Sequence, residues 1–189
     1  RRARDRGRAG STSASGGTRL RTETGAGVMD CKRALEDATG DFEQAKKLIR
    51  ERGLTKAAKK GDREAKEGVV EAYVHGGGKI GVLVELSSET DFVARNPEFR
   101  DLAKAIAMQV AAMSPQHVHV DELTKEQVDA LTAEHGDRKK AMETAVLMLQ
   151  PYIKDPSKTI GDLVTEYAAK VGENVKVRRI VRFQLGDAA

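Results

Sequence analysis

Beyond Thr24 the apolar positions recur at helical spacing. Val28, Cys31, Leu35 and Ala38 make one stripe ended by Gly40, and Asp41 follows as the N-cap of a second run. In that run Phe42, Ala45, Leu48, Ile49 and Arg52 share a side, with Gly53 as the stop. Two helices joined this tightly form an antiparallel pair. Residues 54–68 are rich in Lys and Ala with little apolar stripe, which predicts a solvent-exposed, partly helical connector.

At Gly68 the period switches to two. Val70, Ala72 and Val74 alternate with Glu71 and Tyr73, then Ile80, Val82, Val84 and Leu86 share one face, which predicts a hairpin turned by Gly76, Gly77 and Gly78. A phosphate-cradling glycine loop would instead run from a strand into a helix and be followed by Lys-Ser or Lys-Thr. Asn96 and Pro97 cap a helix striped by Phe99, Leu102, Ala103, Ile106, Ala107 and Val110. Residues 117–136 are polar, with a short helix from Thr124. Asp137 opens another helix through Ala141, Ala145, Val146 and Leu149, closed by Pro151. Thr159 and Asp162 resemble a capping box ahead of Ile160, Leu163, Val164, Tyr167 and Val171. Last, Val175, Val177, Val181, Phe183 and Leu185 alternate with Lys176, Arg178, Arg182 and Gln184, a strand with one buried face. The expected fold is α+β, a three-stranded antiparallel sheet covered by helices and preceded by a small helical domain.

Composition narrows the function. The chain has 189 residues, 39% hydrophobic and 33% charged, with a mean hydropathy of -0.51. No apolar run approaches the roughly 18 residues of a membrane span, so no membrane association is expected. Aromatics are 4% and Trp is absent, which argues against stacking platforms for single-stranded nucleic acid. The net charge of +4 is concentrated at the start: residues 1–23 carry +5 and the other 166 sum to -1. No direct nucleic-acid binding is therefore expected of the body. The Arg/Gly/Ser segment at the start is expected to be a disordered basic extension over residues 1–19. Its composition also fits an organelle transit peptide or an RNA-binding arm. One cysteine, Cys31, leaves no internal disulfide and suits a reducing compartment. The expected location is cytoplasmic, with an organelle matrix as the alternative if the extension is a transit peptide.

Catalytic constellations are missing from the pattern. Of His75, His117, His119 and His135, only His117 and His119 could share a face, and no third ligand stands at a metal-binding spacing. Cys31 sits on an apolar stripe, as a buried thiol does. No nucleophile elbow or paired-carboxylate motif occurs. The protein is expected to act by binding, without cofactor or metal and not as an enzyme. Thr90, Asp91, Phe92 and Val93 lie on the short connection between the second strand and the Asn96 helix. There Phe92 either staples that helix onto the sheet or inserts into a partner, and burying its apolar surface contributes about 1.5 to 3 kcal/mol.

Four segments, residues 24–35 (TGAGVMDCKRAL), 89–99 (ETDFVARNPEF), 150–159 (QPYIKDPSKT) and 172–186 (GENVKVRRIVRFQLG), closely resemble the translation elongation factor Ts family, in that family's order. The likeness runs from about Leu20 to the end. It implies a guanine-nucleotide exchange factor that binds elongation factor Tu carrying GDP and speeds GDP release. It also implies a ubiquitin-associated-like helical domain over residues 20–54, a linker over 55–67 and an α+β core over 68–189. By the same resemblance Thr90, Asp91, Phe92 and Val93 act on the magnesium site of Tu. Gly25, Ala26, Gly27, Val28, Met29, Asp30 and Lys32 correspond to the part that docks on its nucleotide-binding domain. Family members carry a full helix ahead of Thr24, whereas here only Leu20 and Arg21 read as its end, so a helix pair lacking its third partner is expected. The length leaves room for one core unit, and a second copy is expected to supply the missing surface by homodimerisation. The rivals are an RNA-associated translation protein, using the extension and the Lys176, Arg178, Arg182 face, and a ubiquitin-binding adaptor.

Overall fold

The computed structural model describes residues 14–187, which fall into two compact units that divide after Lys56. The first holds α1 (Ala14–Thr24), α2 (Val28–Asp37) and most of α3 (Phe42–Ala58). Leu20, Cys31, Ala34, Leu35, Ala38 and Ala45 form its core, with Ala26, Phe42, Leu48 and Ile49 packed at the margin. Gly40, at φ +87, closes the α2–α3 turn by donating its N–H to the Leu35 carbonyl at 2.8 Å.

Two expectations fail in this unit. Helix α1 starts at Ala14, inside the segment expected to be disordered, so the pair of helices has its third partner after all. Leu20 has a core to enter, and tertiary burial outweighs a composition poor in helix formers. The Arg19 guanidinium lies 4.4 Å from the centre of the Phe42 ring, and Lys46 pairs with Glu23 at 3.1 Å, so α1 is tied to α3 by cation–π and charge contacts. Residues 1–13 of the basic extension lie outside the described residues. Gly53 does not end α3, which continues to Ala58; an interior glycine costs a helix only about 1 kcal/mol.

The second unit is built on β1 (Glu67–His75), β2 (Ile80–Ser88) and β5 (Lys176–Gln184), antiparallel in the order β1-β2-β5. Gly68 opens β1 where a Cβ would stand 2.2 Å from the Leu86 carbonyl oxygen, so a side chain cannot fit there. Between β2 and β5 the chain forms α4 (Asp91–Ala94), α5 (Pro97–Met113), α6 (Lys125–His135), α7 (Arg138–Ala145), a small hairpin of β3 (Pro151–Tyr152) and β4 (Asp155–Thr159), and α8 (Ile160–Val171). This is the expected α+β class. Val82, Val84 and Leu86 pack under α5 residues Phe99, Ala103, Ile106 and Val110, with Ile160 and Val164 of α8 completing the core. Asn96 and Thr159 cap α5 and α8 as their sequences predict.

Most described side chains of the connector are exposed, as expected, but the segment is also fastened to the second unit. Ala65 is buried, its carbonyl accepts from Arg178 at 2.7 Å, and the Asn174 amide donates to the carbonyls of Gly61 and Arg63. Helix α7 stops at Ala145 instead of running to Leu149. The Ala145 carbonyl accepts the N–H groups of Gln116 and His117, which draws the following residues into a tight turn. Buried Gln109 and Gln150 are joined there: Gln109 donates to Gln150 and to the Pro151 carbonyl and accepts from Ile153 N–H, so no buried amide is wasted.

Side-chain direction in the sheet departs most from expectation. On β1 it is Val69 and Tyr73 that pack on the core, while Val70 and Val74 face out. On β5 a bulge opposite Glu85 and Leu86 inserts one residue, and an inserted residue flips every later side chain to the other face. Val177 is therefore buried and Ile180 points inward, but Val181, Phe183 and Leu185 are exposed, Phe183 by 72%. The same flip breaks up the basic stripe proposed for RNA: Arg182 turns under the sheet to the Ala111 carbonyl and Arg178 is spent on Ala65.

Candidate functional site

Helix α4 is a single turn set between the end of β2 and α5. Thr90 is its N-cap, extended at φ -125 and ψ 153, and its Oγ1 accepts from Val93 N–H at 3.5 Å. A turn of four residues has one phase to choose. Val93 and Ala94 enter the core, which sends Asp91 and Phe92 outward. The Phe92 ring is 83% exposed, and the stapling alternative is thereby excluded. Of the four residues singled out in this motif, Thr90, Asp91 and Phe92 are at the surface while Val93 serves as the anchor. Asp91 pairs with Arg95 at 2.8 Å, an exposed contact of little energetic weight.

The backbone beneath Phe92 is tied down from several sides. Thr90 donates both its N–H and its hydroxyl to the Glu173 carboxylate, at 3.1 and 2.7 Å. Asn174 donates its N–H to Glu89 at 2.7 Å, and Arg63 reaches Glu89 at 3.4 Å. Ser88 Oγ donates to the Thr90 carbonyl at 2.9 Å. Glu89, Glu173 and Asn174 fall within the family-like segments, but little in the local pattern marks their role, because Glu89 meets Asn174 and Glu173 meets Thr90 more than 80 residues away along the chain. The one local cue is Glu173 directly after Gly172, the left-handed stop of α8.

Tyr167 lies in the same core, its ring 5.9 Å from that of Phe99. Its Oη is buried and finds no hydrogen-bond partner among the described residues. Burial, with the carboxylates of Glu98 and Glu173 adding to it, pushes this phenol up to about 12, so it stays protonated and is no base.

The second singled-out segment belongs to the first unit. Gly25, at φ +68, ends α1 through its N–H bond to the Arg21 carbonyl, and Gly27 is the N-cap of α2. Ala26 packs against the core, whereas Val28 and Met29 are 61% and 57% exposed on the first turn. Val28 thus leaves the buried stripe assigned to it, and Ala34 takes its place beside Cys31 and Leu35. Asp30 is half-buried, and Lys32 is exposed and pairs with Glu36 at 3.8 Å. Each segment presents exposed apolar side chains beside a charged one, Phe92 beside Asp91 and Val28 and Met29 near Lys32.

Among the described residues no three His, Cys, Asp or Glu side chains come together as a metal site. His119 Nε2 lies 3.2 Å from the Val177 carbonyl, and His117 faces Glu122 at 3.8 Å. No helix among those residues is long and apolar enough to cross a membrane.

Residues 36–135 match the model of the family described as elongation factor TS. The chain is also 48% identical over 187 residues to elongation factor Ts of Carboxydothermus hydrogenoformans, covering 89% of this chain and 86% of that one. It is 47% identical to elongation factor Ts of Alkaliphilus metalliredigens, with the same coverage. Against the protein of that name from Thermodesulfovibrio yellowstonii it is 47% identical, covering 89% of this chain and 93% of its relative.

Proposed function

This chain belongs to the elongation factor Ts family, translation elongation factors, and on that premise we propose that it is the guanine-nucleotide exchange factor of elongation factor Tu. It binds Tu carrying GDP and speeds release of the nucleotide so that GTP can enter. The observation that carries the reading is Phe92: a large apolar ring, 83% exposed, on a turn whose backbone is fixed. A ring left in water at a rigid site gains its stabilisation on docking.

The chemistry follows from how such a GTPase holds GDP. A phosphate loop and a Mg²⁺ ion bridging phosphate oxygens do most of the binding, so a factor that disturbs the metal loosens the whole nucleotide. Phe92 wedges between elements of Tu while Asp91, one residue before it, brings a carboxylate toward the metal's ligand shell. Val28 and Met29, at the start of α2, supply the apolar contact with the nucleotide-binding domain. No bond is made or broken, and no cofactor is used. The coupling is reciprocal: the factor weakens GDP only as far as GDP weakens the factor, about 1 to 3 kcal/mol. Direction comes from the excess of GTP over GDP in the cytoplasm, where the protein works.

The outer face of the sheet supports a homodimer as part of the same reading. Val70, Val74, Leu83, Val181 and Phe183 are exposed across three adjacent strands, with Leu185 just beyond. The one charged pair in the middle, Glu85 with Arg179 at 2.6 Å, is self-neutralising, so two such faces do not repel. Phe183→Ser should shift the protein to monomer in sedimentation equilibrium; a monomeric parent protein would remove this element.

Stopped-flow release of a fluorescent GDP analogue from purified Tu tests the main reading. Phe92→Ala should cut the accelerated rate by about 30-fold, as loss of a 2 kcal/mol interface anchor does. Acceleration undiminished in that variant would overturn the assignment.

A further inference from the structure

We propose that Glu173 is a positioning residue of the exchange site, holding α4 in the one orientation that offers Phe92 to Tu. The proposal rests on the exchange reading above. Its basis is a reciprocal arrangement of two carboxylates between two segments far apart in sequence. Glu173 accepts the backbone N–H of Thr90, and Glu89, the residue before Thr90, accepts the backbone N–H of Asn174, the residue after Glu173. The remaining oxygen of each carboxylate is also used, by the Thr90 hydroxyl at 2.7 Å and by the Arg63 guanidinium at 3.4 Å. Bonds of this kind, with an ionised acceptor, are about twice as strong as neutral ones.

The effect on Phe92 runs through a single hydroxyl. Thr90 Oγ1 has one proton, and giving it to Glu173 leaves its lone pairs for the N–H of Val93, which is the capping bond of α4. A four-residue helix has almost no internal bonds to sustain it, since the first turn of any helix costs more order than it returns. Its geometry is therefore set at its two ends. Val93 and Ala94 anchor the far end in the core, and Glu173 fixes the near end. Phe92 lies between them.

Removal of Glu173 frees the hydroxyl to rotate, and the turn then samples orientations in which the ring does not meet Tu. Apparent affinity falls in proportion to the competent fraction, whereas the complex once formed holds the ring as before. The brace thus belongs to association and Phe92 to release. A residue that merely supported the fold would not divide the kinetics in this way.

The test is nucleotide release from Tu measured at rising concentrations of Glu173→Ala, Glu173→Gln and Phe92→Ala. Glu173→Ala should raise the half-saturating concentration about tenfold and leave the maximal rate within about twofold. Glu173→Gln keeps one acceptor oxygen and should recover part of the loss, to about threefold. Hydrogen exchange at the Thr90 and Val93 amides should quicken in Glu173→Ala while the α5 amides stay protected. A native half-saturating concentration in both Glu173 variants, with Phe92→Ala impaired, overturns the proposal and leaves the exchange reading standing. Should the Ala variant loosen α5, the isosteric Gln variant decides alone, an unshifted half-saturation counting against the brace. Native behaviour of Phe92→Ala as well would instead strike the exchange reading itself.

Discussion

Three helices of the first unit close on Leu20, Leu35 and four small residues, Cys31, Ala34, Ala38 and Ala45, whereas the second unit buries Phe99, Ile106, Leu86, Val84, Val110 and Ile160 between a sheet and two helices. Each unit exposes one of the two singled-out apolar segments, and the two stand on unequal foundations. Val28 and Met29 sit on a helix whose position depends on a few small contacts. Phe92 sits on a single turn braced by carboxylates and rooted in the larger core. Under the proposed function, docking on two such surfaces would divide the work: the unit with the smaller core would adapt to a partner, while the braced turn would displace something in it.

The comparison breaks most readily at Leu20. It is fully buried and joins α1 to the other helices, so Leu20→Ala removes a large share of a small core. Such truncations cost 2 to 5 kcal/mol, comparable to the whole stability of a unit this size. The expected outcome is loss of amide protection throughout α1, α2 and α3, with α5 and the sheet unaffected. Protection lost equally in both units would show that they do not fold separately.

A smaller effect comes from acid. Hydrogen bonds from Lys46 first, then Arg19, hold the Glu23 carboxyl below its usual 4.5, and Lys46 is raised in turn chiefly by Glu23. A depressed carboxyl contributes stability that is complete above the unfolded value and is lost as pH falls through the folded one. A raised lysine behaves oppositely, its share present below 10.5 and lost at higher pH. The contacts are exposed and their weight is modest. Amides of α1 should open first as pH drops below about 4.5, and Glu23→Gln should flatten that dependence. An unchanged profile in Glu23→Gln would assign the acid response to other groups.

How far these elements were legible depends on the range of the forces that make them. Capped helices such as α5 and α8 announce themselves locally, since Asn96 with Pro97 and Thr159 with Asp162 satisfy backbone N–H groups within three residues. The α1 helix does not, because Leu20 is its one fully buried large residue and only α2 and α3 give that residue a purpose. Face assignment on β5 failed for a different reason. One bulge reverses inside and outside, and alternation alone cannot see it. At the candidate site, Thr90, Asp91, Phe92 and Val93 were visible as a motif, but the division into three surface residues and one anchor follows from helical phase on the folded core. The roles of Glu173 and Glu89 were invisible because each acts across the chain.

The smallest effect probes how much slack the larger core contains. Tyr167 places a hydroxyl in that core with no partner among the described residues, beside Phe99 and near the carboxylates of Glu98 and Glu173. An unpaired buried hydroxyl costs the desolvation that water would have repaid, so Tyr167→Phe should leave stability unchanged or raise it by up to about 1 kcal/mol at pH 7. A second signature separates this cause from simple repacking. The phenol is raised from 10.0 to about 12, so the neutral form is favoured on folding; its contribution is complete below pH 10 and disappears as pH climbs toward 12. Thermal unfolding at pH 7 and pH 11 should therefore show the variant gaining on the parent as the solution becomes alkaline. If Tyr167→Phe is instead destabilising at pH 7, the hydroxyl is bonded in solution, and the rigidity under Phe92 owes something to that bond as well as to the Glu173 carboxylate.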